Sequence, residues 1–234
     1  MNYIVLDLEW NQSAKGKKYA LPGMPFEIIQ MGAVKLNEQF EVIDEFDRLV
    51  CPQVYPVLHS ICGEVTGITQ EMLAAGEHFV DTALDFLAWC GQDYIFCTWG
   101  SMDLVELQRN LNHYAIEPDF PMPFLFYDVQ KLYSLCFLNG KERLSLQASI
   151  EQLHMAENEQ YHMALSDARY TAQIMKRLDF KKVKAFYSID TYRVPQRRKE
   201  EICMNFGNYS KYISRAFDTR EKAETDRRVR SCNC

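Results

Sequence analysis

The run Tyr3-Ile4-Val5-Leu6 is apolar and β-branched enough for a central strand, yet it ends directly in Asp7-Leu8-Glu9. A strand alternates its side chains, so residues two apart share a face. Asp7 and Glu9 therefore project together from the end of a buried strand. Two carboxylates held that close repel each other unless a proton or a cation lies between them. Hard divalent cations such as magnesium take oxygen ligands, commonly one or two carboxylates plus substrate phosphate. The opening residues thus propose a metal site that handles phosphates, with a solvated strand end as the alternative for Asp7 and Glu9 taken alone.

The 234 residues, 47% hydrophobic, are enough for one sizeable core with an extension. The chain lacks the run of about eighteen apolar residues that a membrane helix requires, so no membrane association is expected. The N-terminus has no basic segment followed by a long apolar stretch, unlike a signal peptide. The eight cysteines are irregularly spaced, and Cys90 and Cys97 sit in apolar runs. Reduced thiols and a cytoplasmic location are the expectation. Cys232-Asn233-Cys234 offers only two soft ligands with no histidine nearby, which is not a zinc pattern.

Charge is unevenly distributed. Residues 181–234 carry 14 Lys and Arg against 7 Asp and Glu, while residues 1–180 carry 12 against 25. The basic segment is either an attractor for a polyanion or a solvated tail. Its aromatic residues, Tyr187, Tyr192, Phe206, Tyr209, Tyr212 and Phe217, either stack on bases or pack the tail onto the parent domain. A boundary is expected near 179–184, giving a domain over 1–180 and an extension over 181–234.

The pattern along the chain predicts strands over Tyr3–Asp7, Phe26–Leu36 and Glu41–Val50, with a polar loop over Asn11–Pro25. Short links between these strands imply an antiparallel meander. Short helices follow over Leu58–Leu73, punctuated by Gly63 and Gly67. Apolar spacing predicts a helix over Phe79–Cys90, a strand over Asp93–Thr98 and a helix over Met102–Tyr114 with Ser101 available as its N-cap. Pro123–Val129 reads as a strand, and Leu144–Leu153 and Ala164–Leu178 as helices. Asp128 reads as the cap of a helix starting near Val129, with a ligand role as the alternative. This order predicts an α/β fold, a mixed sheet with helices on its faces.

Two further motifs join the first: Trp99-Gly100-Ser101-Met102-Asp103 and His162-Met163-Ala164-Leu165-Ser166-Asp167-Ala168. In order and spacing, the three together resemble the Asp-Glu-Asp-Asp-His (DEDDh) 3′→5′ exonucleases over about residues 1–180. Phe26–Val34 resembles the second strand of that family, with Gln30 where members often carry Glu. Thr66-Gly67-Ile68-Thr69 resembles one of its loop segments. Trp99-Gly100 and that loop look like the subgroup that trims RNA 3′ ends and includes bacterial relatives of a sporulation inhibitor.

The resemblance implies a ribonuclease H-like fold and two divalent cations, Mg2+ or Mn2+. It implies Asp7 as the bridging ligand, Glu9 and Asp167 on the nucleophile-side metal, and Asp103 behind the leaving-group metal through water. It also implies His162 as the general base; histidine's ordinary pKa of about 6.5 suits that task near neutral pH. Trp10 and Asn11 fall where family members touch the terminal nucleotide, although Trp10 has a core reading of equal weight. His59, His78, His113 and His154 lie in no ligand spacing.

The expected activity is metal-dependent 3′→5′ exonucleolysis of single-stranded RNA or DNA ends, RNA slightly favoured, releasing nucleoside monophosphates. The alternative is a catalytically silent nucleic-acid- or protein-binding module on the same fold. Presence of all five catalytic-type residues favours the enzyme, and digestion of a labelled oligonucleotide separates the two. The sequence is silent on oligomeric state.

Overall fold

Three long strands start the chain in the computed structural model, which describes residues 1–118, 120, 124–156 and 158–193. β1 (Asn2–Gln12), β2 (Phe26–Leu36) and β3 (Val42–Cys51) form the expected antiparallel meander. Asn37 organises the β2–β3 turn: its side-chain oxygen accepts the backbone N–H of Gln39 and of Glu41, each at 2.9 Å. β5 (Tyr94–Thr98) then lies parallel to β1, and β6 (Leu125–Asp128) parallel to β5. Two-residue strands, β4 (Glu77–His78) beside β3 and β7 (Ser188–Ile189) beside β6, close the order β4-β3-β2-β1-β5-β6-β7.

The alternation within β1 decides which core each residue enters. Ile4, Leu6 and Leu8 join Phe86 of α3 (Phe79–Cys90) and Leu104, Leu107 and Leu111 of α4 (Met102–His113) on one face. Tyr3 and Val5 join the other face, with Leu132 of α5 (Val129–Phe137), Ile150 of α6 (Leu146–Gln152) and Ile174 of α7 (Ala164–Arg177). Each fully buried side chain of this size contributes roughly 1.5–3 kcal/mol. A sheet covered on both faces explains why β2 is buried along nearly its whole length, whereas β3 near the edge is largely exposed. Between β3 and β4 lie the short helices α1 (Ser60–Thr66) and α2 (Gln70–Ala74).

Three local expectations change. β1 runs on to Gln12, because Asn11 and Gln12 continue to pair with Glu27 and Phe26 of β2, so the loop starts only at Ser13. That loop holds a single 3-10 turn, Lys17–Tyr19. Ser101 makes no side-chain cap bond to α4; its backbone is already near-helical (φ −119°, ψ −4°), not the extended form a capping hydroxyl needs. Thr69, Asp128 and Ser145 do cap helices, accepting from Met72 N–H (3.3 Å), Lys131 N–H (2.9 Å) and Ala148 N–H (3.1 Å).

Beyond residue 177 the chain continues to use the sheet. Phe180, at the start of α8 (Phe180–Val183), meets the rings of Tyr3, Phe40 and Tyr127 at centroid distances of 5.6, 4.8 and 5.0 Å. β7 pairs with β6, and the Asp190 carboxylate accepts from Gln108 of α4 at 2.9 Å. Tyr187 is exposed, and Tyr192 lies beneath the Arg109 guanidinium, 5.4 Å from the ring centroid. Phe206, Tyr209, Tyr212, Phe217, Cys203, Cys232 and Cys234 lie outside the described residues. The five described cysteines are free thiols. Among the described residues no helix is long and apolar enough to cross a membrane.

Candidate active site

The C-terminal half of β1 is where two helix N-termini approach the sheet. Asp7 pairs with Gly32 and Glu9 with Gln30 of β2, and a register shift follows between Glu9 and Trp10. Asp103 lies in the first turn of α4 and Asp167 in the first turn of α7, both buried. Helix N-termini carry partial positive charge, which favours carboxylates at those positions. Asp103 Oδ1 accepts the Leu8 backbone N–H at 3.2 Å, tying α4 to the strand between the two β1 acids. Asp167 Oδ2 accepts the His162 backbone N–H at 3.2 Å. His162 is exposed and holds a left-handed backbone (φ 61°), uncommon for a residue other than glycine.

α7 can come this close because β2 carries a glycine opposite it. A Cβ on Gly32 would stand 2.1 Å from both Ala164 C and Leu165 N. Beside it, the buried Gln30 accepts the Ala164 N–H at its Oε1 (3.1 Å) and donates from Nε2 to Asp47 Oδ1 (2.9 Å). Neither role emerged from the sequence patterns. A glycine inside an apolar strand run was the available signal for close backbone approach.

The four acids repel one another's charge. Enclosure raises the proton affinity of Asp7 well above that of an ordinary carboxylic acid, and Asp103, Asp167 and Glu9 raise it further. Glu9 is pushed up to about 8 by burial, with Asp167 and Asp103 adding to it. Asp103 is pushed up to about 7, again chiefly by burial, against the pull of the backbone N–H groups of Asp103 and Leu8. Asp167 rises to about 6 by burial, moderated by the His162 N–H.

Asp167 Oδ1 is buried and has no hydrogen-bond partner among the described residues. Glu9, His162 and Asp167 each offer a ligand atom, all within 4.8 Å of one another. An orphaned carboxylate oxygen, a set of hard oxygen donors and mutual repulsion together fit a divalent cation. His59, His78, His113 and His154 are outside that group.

The two residues expected at the terminal nucleotide part company. Trp10 is half-buried, its ring 5.8 Å from that of Phe26. Asn11 is fully buried: its amide donates to the carbonyls of Tyr55 (2.8 Å) and Val57 (3.0 Å), and its oxygen accepts from His59 N–H (2.9 Å). These bonds engage both amide hydrogens and the amide oxygen of Asn11 in shaping the loop leading into α1. Glu27, also fully buried, supports the same loop by accepting from Gln53, Val54 and Tyr55 N–H at 2.6–3.0 Å.

The model of the Exonuclease family (RNase_T) matches residues 4–175. Rat 3'-5' exoribonuclease 1 (Rattus norvegicus) is 25% identical over 163 residues, covering 65% of this chain and 46% of that protein, so this chain spans less than half its length. The Bacillus subtilis (strain 168) protein named "Probable 3'-5' exonuclease KapD" is 27% identical over 183 residues, covering 74% of this chain and 82% of that protein. The nuclease domain of 3'hExo, a DEDDh family member solved bound to rAMP, has the same fold: TM-score 0.66 at 22% identity, covering 82% of this chain and 97% of that one. E. coli exonuclease I in complex with a dT13 oligonucleotide superposes with a TM-score of 0.61 at 15% identity, covering 79% of this chain and 42% of that one.

Proposed function

The chain belongs to the Exonuclease family, and from that premise we propose that it removes nucleotides from single-stranded 3′ ends, RNA slightly favoured over DNA, releasing nucleoside monophosphates. The observation that carries this reading is the convergence of Asp7, Glu9, Asp103 and Asp167 at one strand end, with His162 beside Asp167.

Membership of the family implies divalent cations. In the proposed site Asp7, Glu9, Asp103 and Asp167 would hold two of them, Mg2+ or Mn2+, which when bound would supply an acidified water and charge stabilisation at the scissile phosphate and leaving oxygen. His162 takes a proton from the attacking water as its oxygen bonds to phosphorus. The bond from phosphorus to the 3′ oxygen of the preceding nucleotide breaks, and that oxygen takes a proton from solvent. Exposure of His162 allows it to reach a substrate phosphate and to return its proton to solvent. Trp10 is only half-buried, and base stacking is its proposed part.

An exoribonuclease among the relatives supports RNA. DNA polymerase III PolC-type of Clostridium perfringens (strain 13 / Type A), 29% identical over 191 residues, keeps DNA in the comparison; the chain covers 11% of that protein. The test is side-by-side digestion of RNA and DNA oligonucleotides, labelled at either end, with Mg2+ or Mn2+, by wild type and Asp7→Ala. Stepwise shortening from the 3′ end by wild type alone supports the proposal. An intact oligonucleotide that is nonetheless bound would point to a silent binding module.

A further inference from the structure

Between α6 and α7 His162 itself is exposed, although its neighbours Tyr161 and Met163 pack against hydrophobic clusters, so no core holds its own ring in place. Its position is set by the backbone on either side. On the C-terminal side the His162 and Ala164 N–H groups are bound by Asp167 and Gln30. On the N-terminal side Tyr161 packs against the core, and Glu159 is a second anchor. The Tyr170 hydroxyl accepts the Glu159 N–H at 2.8 Å and donates to the Glu159 carbonyl at 2.9 Å, while the rings of Tyr170 and Tyr161 stack 5.0 Å apart. The Glu159 carboxylate accepts from Arg169 Nη1 at 2.8 Å. The same guanidinium binds Glu45 of β3 bidentately along another edge, Nε to Oε1 at 2.9 Å and Nη2 to Oε2 at 2.6 Å.

We propose that Arg169 is a positioning residue: anchored on β3 by Glu45, its guanidinium holds Glu159 and thereby fixes the segment that presents His162 to the attacking water. This rests on the exonuclease reading above. A planar guanidinium can bind one carboxylate bidentately and a second at another edge; an ammonium ion offers only a point charge. Arg169 follows Asp167 by two residues, about 200° round the helix, so it holds the loop from another face of α7 than the one bearing the acid. Without it, Glu45 and Glu159 would be two neighbouring carboxylates with no shared cation, and the Glu159 side chain would lose its link to β3.

The network is partly exposed, Arg169 at 37%, so its contribution to global stability is small. Its effect on reacting geometry is not, since a displacement of about 1 Å can cost about a hundredfold in rate. Arg169→Gln is therefore expected to lower kcat about ten- to a hundredfold, with KM, Mn2+ affinity and melting temperature near those of wild type. Arg169→Lys recovers part of the loss by keeping the charge. Hydrogen exchange of the amides at 159–162 should quicken in Arg169→Gln.

The deciding measurement is a double-mutant cycle with His162→Ala. If Arg169 acts through His162, Arg169→Gln produces no further loss in the His162→Ala background. Equal fold losses in both backgrounds, or Arg169→Gln turning over like wild type, overturn the proposal and leave the exonuclease reading standing. A wild-type protein with no metal-dependent 3′ cleavage overturns both.

Discussion

Gly32→Ala tests how closely α7 must approach the sheet. The added Cβ would stand 2.1 Å from Ala164 C and Leu165 N and 2.6 Å from Ala164 O, all backbone atoms that no rotamer change can move. Ordinary van der Waals separation begins near 3.4 Å, so the start of α7 must retreat by more than about 1 Å. Overpacking of this kind costs about 1–3 kcal/mol. At about 2–4 °C per kcal/mol for a chain of this size, the melting temperature should fall by roughly 2–12 °C. The functional loss should be larger than the stability loss suggests. α7 carries Asp167, whose Oδ2 holds the His162 N–H, so one retreat moves a proposed ligand and the proposed base together. Displacement of about 1 Å corresponds to about a hundredfold in turnover. The assay pairs thermal melting with metal-dependent shortening of a 5′-labelled oligonucleotide, and adds Mn2+ calorimetry, where affinity should drop. A Gly32→Ala protein that melts and cleaves like wild type would show that α7 does not need its seat on β2, and the argument for its close approach would be wrong.

His162→Ala should lower turnover by about 10²–10⁴-fold at neutral pH with substrate affinity retained, the range usual for a lost general base; near-normal cleavage would assign the proton to another group. Metal-free protein should lose stability as pH rises. Glu9, Asp103 and Asp167 hold protons up to about 8, 7 and 6 in the fold, against 4.5, 3.8 and 3.8 ordinarily, so the unfolded chain releases them first. The resulting penalty is absent below about pH 4 and complete above about pH 8; melting in chelator between pH 5 and pH 8.5, against melting in Mg2+, should show stabilisation by cation growing with pH, and a pH-independent difference would refute it. Residues 194–234 carry 10 Lys and Arg against 6 Asp and Glu, and we propose that they help hold substrate. Truncation after Arg193 should then flatten the salt dependence of binding by about 0.7 in log–log slope for each phosphate no longer neutralised; normal melting with an unchanged slope would direct the search to a protein partner.

Burial is what sets the acidic motifs apart from ordinary surface carboxylates. A carboxylate at the end of an apolar strand is expensive to bury without a partner, so Asp7 and Glu9 suggest chemistry, but a solvated strand end explains the pair equally well until the Asp103 and His162–Asp167 motifs are added. Asn11 shows the converse. The family resemblance pointed it to the terminal nucleotide; the structure adds that its buried amide makes its hydrogen bonds to the carbonyls of the 55–57 loop, which no sequence pattern announced.

Short-range periodicity was sufficient for β2, α3 and the start of α7, whose bounds coincide with the apolar pattern. It was also sufficient for the Asp128 cap, since capping is an interaction over three residues. The sequence order of the three acidic motifs was enough to single out Asp7, Glu9, Asp103, His162 and Asp167 as one candidate set. Tertiary structure alone decided how far β1 runs, because its last pairs depend on where β2 lies and not on local propensity. It alone joined Gly32 to Ala164, Gln30 to the α7 N-terminus, and Arg169 to Glu45 across 124 positions. Those interactions join segments distant along the chain; their partners are set when helix packs on sheet, and no local period in the sequence encodes them.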